Sequence, residues 1–276
     1  MTVFGLKVMA CLCMLIDHIG YCGGIFWMRV IGRLAFPIYA FLIANGYRHT
    51  RNVPRYMLRL FCAAVLSEPC FDRFVSDTWF DPAYQNVLWT LLLGLMCLIL
   101  KDWLCRIGKC GKWLYPLSVF LLCAAAVLAR TDYAAVGVLT VAAVGAGTRS
   151  GKADMDAARH SGSLHGGCVS GFPGDGAPEP LACGLFVLVT CLRPLAFCAG
   201  ILAERFGWTP LQTVRSFFGS FSEWDVVNLL RLAALIPLLL YNGEKGMPGK
   251  LCGSALMRYG FYLFYPVHML LLAFVF

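Results

Sequence analysis

Residues 3–23 read Val3-Phe4-Gly5-Leu6-Lys7-Val8-Met9-Ala10-Cys11-Leu12-Cys13-Met14-Leu15-Ile16-Asp17-His18-Ile19-Gly20-Tyr21-Cys22-Gly23. This is a nearly unbroken apolar stretch, close to the ~20 residues that cross a bilayer as a helix. Toward its far end it carries an aspartate and a histidine side by side. Ionisable groups at that depth are costly to place and by default mark a functional site.

The rest of the chain extends the pattern. Of its 276 residues, 59% are hydrophobic and 14% are charged, with a mean hydropathy of +0.71. A soluble domain is nearer about 45–50% apolar and about 25% charged. The fold class expected is therefore an all-α integral membrane protein, a polytopic bundle of about nine transmembrane helices forming a single domain over 1–276. Apolar runs and helix breakers place the spans at 3–23, 25–46, 54–71, 86–100, 113–129, 133–147, 181–203, 225–241 and 253–276. The first is read as a retained span rather than a cleaved leader. Asp17-His18 interrupts its apolar core, and no small-x-small cleavage site follows.

The formal charge of +8 falls mostly in loops that end helices, which points to topology rather than to nucleic acid. The loop after the second span holds Arg48, Arg51, Arg55 and Arg59 with no acid, and so is expected on the cytoplasmic side. Alternation then puts Lys101, Arg106, Lys109 and Lys112, and later Lys245 and Lys250, on that side as well. The loop with Asp72, Asp77 and Asp81 faces out. The N-terminus is expected in the cytoplasm and the protein in the bacterial cytoplasmic membrane.

Segment 148–180 is rich in Gly, Ser, Ala, Asp and His and buries little apolar surface, so it is expected to be a disordered cytoplasmic loop. Its His160, His165 and Cys168 lack a fourth ligand, and no metal is expected. The 14 cysteines lie mostly inside apolar runs, where Cys behaves as a small hydrophobe.

Ranked by depth, the polar residues of the spans gather at one level. Asp17 and His18 end the first span; Arg29 and Arg33, four apart, begin the second. Glu68 and Asp72 end the third, Gln85 and Asn86 begin the fourth, and Asp132 begins the sixth. Arg231 lies inside the eighth span and His268 in the outer half of the ninth. Such a set lines a cavity open to the extracytoplasmic side. Arg29, Glu68, Asp72 and Asp132 also fit interfacial residues whose heads snorkel to lipid headgroups. Arg193-Pro194, in mid-span, is a separate oddity that needs a partner for its guanidinium. Histidine takes and returns a proton near neutral pH, and an arginine beside a reacting carbonyl stabilises an oxyanion. The set suits group transfer to an amine or hydroxyl with His18 as base. It equally suits a proton-coupled transporter.

Several of these residues sit in motifs that resemble the TraX family. They are Leu6-Lys7-Val8-Met9, Met14-Leu15-Ile16-Asp17-His18-Ile19-Gly20, Arg29-Val30-Ile31-Gly32-Arg33-Leu34-Ala35-Phe36-Pro37, Leu66-Ser67-Glu68-Pro69, Gln85-Asn86-Val87-Leu88-Trp89-Thr90, Thr131-Asp132-Tyr133, Ile236-Pro237-Leu238-Leu239-Leu240-Tyr241-Asn242-Gly243 and Phe264-Tyr265-Pro266-Val267-His268. The resemblance runs in order along nearly the whole chain; segment 148–180 departs from it.

The resemblance implies a transmembrane acyltransferase, akin to heparan glucosaminide N-acetyltransferase. Such an enzyme moves acetyl from cytoplasmic acetyl-CoA to an unidentified amine or hydroxyl acceptor across the bilayer, a pilin N-terminus, a glycan or a small molecule. It implies His18 as base or acyl carrier, with Asp17 and Arg33 in the catalytic group. Arg48, Arg51, Arg55 and Asn45 are expected to hold acetyl-CoA. Arg29, Glu68, Asn86, Asp132, Arg231 and His268 are expected on the acceptor side. The alternatives are a proton-coupled small-molecule transporter or flippase, and a non-catalytic assembly factor for a surface appendage.

Overall fold

The computed structural model describes residues 1–146, 180, 182–191, 229–244, 246 and 255–276. Every regular element among them is helical: α1 (Val3–Cys22), α2 (Phe26–Gly32), α3 (Ala35–His49), α4 (Val53–Ser76), α5 (Val87–Ile107), α6 (Lys109–Leu128), α7 (Ala134–Ala146), α8 (Ala182–Cys191), a 3-10 turn (Leu230–Ala234) leading into α9 (Leu235–Leu239), and α10 (Ala255–Val275). Val3–Cys22, Phe26–His49 and Val87–Ile107 are long and apolar enough to span a membrane, and the apolar stretches of the other helices, such as Trp113–Leu128 in α6 and Tyr259–Val275 in α10, are shorter. The chain is an all-α membrane protein. Residues 148–179, Arg193-Pro194 and the metal-ligand candidates His160, His165 and Cys168 lie outside the described residues.

The helix ends follow from local chemistry. The Thr2 hydroxyl accepts from the Gly5 amide at 3.2 Å and starts α1. Asn52 accepts from the Arg55 amide at 3.0 Å to start α4, and Asn86 from the Leu88 amide at 2.9 Å to start α5. Gly24 and Gly108, both at positive φ, turn the chain after α1 and α5.

The span expected at 25–46 is divided. Pro37 has no amide hydrogen to donate to the Arg33 carbonyl, and the chain tightens there. The Arg33 amide reaches Val30 and the Leu34 amide reaches Ile31 instead, at 3.3 and 3.2 Å. The helix restarts at Ala35. The break sets Arg33 at a junction rather than within a regular face shared with Arg29.

The main core joins α1, α3, α4, α5, α7 and α10 through residues such as Met14, Phe36, Leu60, Leu95, Val141 and Met269. Helices α5 and α7 approach closely because Gly94 faces Val141; a Cβ at Gly94 would stand 2.5 Å from the Val141 Cβ. Outward-facing residues are apolar too: Leu66, Phe120 and Leu128 are each more than 60% exposed. That is the pattern of a surface solvated by lipid.

Contacts fix which helix ends meet. Phe4 packs edge-on to Phe261, the Val3 amide donates to the Glu244 carbonyl and Tyr47 donates to Asp102, all at one end. The last turns of α1 and α4, the starts of α3 and α5, the α6–α7 turn, Arg231 and His268 meet at the other.

Candidate functional site

His18 and His268, 250 residues apart in sequence, face one another at that second end. Nδ1 of His18 lies 2.7 Å from Nε2 of His268, and the two rings lie edge to edge, nearly parallel, with centroids 5.0 Å apart. His268 is 5% exposed. Its Nδ1 bonds the Phe264 carbonyl at 2.7 Å, one turn earlier in α10, and its ring stacks on the Phe264 ring at 4.7 Å. The Phe74 edge closes the other side of His18 at 5.3 Å. Nε2 of His18 makes no hydrogen bond among the described residues.

Asp17, one residue earlier, points elsewhere, as the ~100° step between neighbours on a helix requires. Arg29 donates to its carboxylate at 2.6 Å and to its carbonyl at 3.3 Å. Its other oxygen, Oδ1, is buried with no partner among the described residues. The pair exists because Gly32 has no side chain: a Cβ there would stand 2.2 Å from Asp17. Of the two arginines considered for this carboxylate, Arg29 makes the hydrogen bond, and Arg33 adds a longer-range attraction.

Arg33 donates to the Tyr133 hydroxyl at 3.4 Å, and the Arg231 guanidinium lies 4.7 Å from the centre of the same ring. Phe36 stacks flat on Tyr133 at 4.0 Å. Arg130 has φ 50°, Tyr133 φ 64° and Ala134 φ 40°, left-handed backbone that non-glycine residues adopt only when their surroundings enforce it. The enforcement comes from α5 and from Gln85 just before it. The Asp132 amide donates to the Gln85 carbonyl at 2.9 Å, the Gln85 amide to the Arg130 carbonyl at 3.2 Å, and the buried Thr90 hydroxyl to the Asp132 carbonyl.

Asp132, in that turn, accepts from the Tyr84 hydroxyl at 2.9 Å. Burial pushes its carboxyl up from the ordinary value, while the Tyr84 bond and the charges of Arg33 and Arg231 pull it down. Among the described residues around Tyr133, three guanidinium groups (Arg29, Arg33 and Arg231) thus face two carboxylates (Asp17 and Asp132) within electrostatic reach, an excess of positive charge within that set.

Glu68 and Asn86 form a tie between α4 and α5. Glu68 accepts from the Asn86 amide at 3.1 Å, from the Asn86 side chain, and from the Trp89 indole at 2.8 Å. Asn86 also donates to the Ala64 carbonyl at 2.9 Å. Both residues are largely engaged in holding the start of α5, beside the His18 and Tyr133 groups rather than within them. Buried Tyr265 lies between, in electrostatic reach of Glu68 and Asp132.

Asn45, Arg48, Arg51 and Arg55 sit at the opposite end. Asn45 lies twelve residues past Arg33, about 18 Å along a helix. It is buried, bonds the Tyr241 hydroxyl at 3.4 Å and accepts from His49. Arg51 and Arg55 are exposed. Of these four, Arg51 and Arg55 are the ones that present exposed charge to a ligand.

Sequence reasoning named the charged members of the site and missed the aromatic frame of Phe74, Tyr84, Tyr133 and Phe264. Tyr133 was legible within the Thr131-Asp132-Tyr133 motif and Phe264 within the Phe264-Tyr265-Pro266-Val267-His268 motif; Phe74 and Tyr84 carry no such signal.

The sequence model of a family described as TraX protein matches residues 4–160. A probable fimbrial assembly protein FimC, serogroup H1, from Dichelobacter nodosus is 25% identical over 284 residues, covering 98% of this chain and 94% of that protein. No solved structure matches.

Proposed function

The chain belongs to the TraX family, and from that premise we propose that it is a transmembrane acyltransferase acting in fimbrial or pilin modification. It would move acetyl from cytoplasmic acetyl-CoA to an amine or hydroxyl on the extracytoplasmic side. The observation that carries this reading is the His18 imidazole, bonded at Nδ1 with its Nε2 unengaged among the described residues, beside the guanidinium groups of Arg29, Arg33 and Arg231.

In this mechanism His18 Nε2 takes the proton of the acceptor N–H or O–H as that atom attacks the thioester carbonyl. The acyl C–S bond breaks, and His18 returns the proton to the departing thiolate, giving acetylated acceptor and free CoA. Arg33 and Arg231, held by Tyr133, stabilise the oxyanion that forms between these steps. Arg29 with Asp17 fixes the α1–α2 hairpin that carries His18. Arg48, Arg51 and Arg55 attract the phosphates of CoA at the opposite end.

Orientation follows the same logic. The basic residues of two loops, Arg48, Arg51 and Arg55 in one and Lys101 and Arg106 in the other, fall at the end where Tyr47 meets Asp102 and Val3 meets Glu244, which supports a cytoplasmic N-terminus. The membrane is then the bacterial cytoplasmic membrane. The relative's printed name supports the fimbrial context, and it also favours a second reading, a non-catalytic assembly factor.

Purified protein in nanodiscs, titrated with acetyl-CoA, separates these. Acetyl-CoA binding with CoA release that His18→Ala stops is the expected result. Folded protein that neither binds acetyl-CoA nor releases CoA, with or without a fimbrial N-terminal peptide, would sink the acyltransferase reading and leave the assembly factor.

A further inference from the structure

The hydrogen bonds around His268 determine which nitrogen of His18 carries a proton. The Phe264 carbonyl can only accept, so the His268 Nδ1 that bonds it at 2.7 Å carries the hydrogen. With both rings neutral, His268 Nε2 then holds a lone pair and must accept. The donor across the 2.7 Å contact is Nδ1–H of His18. A neutral imidazole has one N–H, so His18 Nε2 is left as the basic nitrogen.

We propose that His268 is a positioning residue for His18: together with the Phe264 carbonyl it holds His18 in the Nδ1–H tautomer, with Nε2 as the base, and stabilises the imidazolium formed when Nε2 takes a proton.

Three features favour this over packing alone. The His18 and His268 rings are parallel within 18°, as an in-plane N–H···N bond requires, and the His268 ring lies parallel to Phe264 within 12°, so the Phe264 stack restricts rotation of His268 and the interhistidine bond that of His18. His268 is buried, which shields the interhistidine bond from competing water. The order carbonyl, histidine, histidine is that of a base held by an orienting acceptor, with a backbone carbonyl at its root. Loss of such an orienting acceptor costs rate through the wrong tautomer even where the geometry survives. When Nε2 takes a proton, His18 becomes cationic, and its Nδ1–H bond to the His268 lone pair becomes a charge-assisted one. No proton need pass to His268, and the Phe264 carbonyl need not change.

The kinetic part of this assignment rests on the acyltransferase reading; the tautomer part rests on geometry alone, and the two are tested separately. Protein with 15N-labelled histidine in nanodiscs, assigned by comparison with His18→Ala, should show His18 protonated at Nδ1 and not at Nε2. His268→Phe keeps a flat ring against Phe264 and removes the acceptor. In it the His18 signal should move toward the Nε2–H tautomer, and kcat for acetyl transfer should fall about 100-fold or more with little change in KM for acetyl-CoA. His268→Gln puts an amide oxygen near the lost Nε2 and should restore much of both. An Nε2–H tautomer of His18 in the wild type would overturn the proposal, and so would wild-type kcat in folded His268→Phe. If the wild type transfers no acetyl at all, the acyltransferase reading fails, while the tautomer measurement still decides the positioning claim.

Discussion

The two ends of the bundle treat their polar residues in opposite ways. At the His18 end, Asp17, Glu68, Asn86, Asp132 and His268 are withdrawn from solvent and bonded across helices. At the Arg48 end, Arg51 and Arg55 are exposed, and the tertiary bonds come from Tyr47 to Asp102 and Asn45 to Tyr241. A buried polar group must find partners or lose several kcal/mol, on the order of 1–3 for an unsatisfied hydrogen bond. Its neighbours therefore say what it does. An exposed arginine is satisfied by water, so its neighbours say little, and its assignment to acetyl-CoA rests on charge and position.

The contrast can be broken most directly at His18. His18→Ala should lower acetyl transfer by about 10²- to 10⁴-fold, the range of a general base, in protein whose elution from size exclusion is unchanged. Transfer at the wild-type rate would move the chemistry away from this end altogether.

Next in size is the Asp17–Arg29 pair, whose side chains are 14% and 18% exposed. Asp17→Ala should destabilise the protein by about 1.5–3 kcal/mol, read as a lower thermal midpoint in detergent. Gly32→Ala should cost about 1–3 kcal/mol without altering any charge, because its Cβ meets Asp17. If Gly32→Ala melts like the wild type, the close approach of α1 and α2 is wrong.

Glu68 offers a finer test, because it was expected on the acceptor side and is bonded as a helix tie. Glu68→Gln should weaken the α4–α5 junction by about 0.5–1.5 kcal/mol and change transfer only a few-fold. A collapse of transfer at unchanged stability would instead assign Glu68 to the acceptor.

The smallest effect is expected at the exposed end. Arg51→Ala combined with Arg55→Ala should raise KM for acetyl-CoA by roughly a few-fold, leave kcat unchanged, and lose its effect in high salt as the charges are screened. A change in kcat rather than KM would join the two ends in one chemical step.

Much of this was legible before any fold. The spans near 3–23, 86–100 and 113–129 match α1, α5 and α6 to within a few residues at their starts, because apolar length and capping residues act locally. The shared depth of Asp17, Arg33, Asn86, Asp132, Arg231 and His268 also follows from counting residues along alternating helices. The division at Arg33 was readable in principle from Pro37, whose missing amide hydrogen acts four residues back. Which arginine meets Asp17 was not readable. Arg29 and Arg33 are equivalent on an ideal helix, and only the tightened turn and the bare Gly32 separate them.

The sequence alone determined that this chain spans a membrane as helices, which loops carry its positive charge, and which few residues had to be special. Those properties come from transfer free energies that each segment pays independently. The pairing of His18 with His268, the arginines gathered on Tyr133, and the conversion of Glu68 and Asn86 into a helix tie were decided only by the tertiary structure. They depend on distances of about 3 Å between residues up to 250 positions apart. Hydropathy sets the depth of a side chain, but not its direction around the helix axis or its partner.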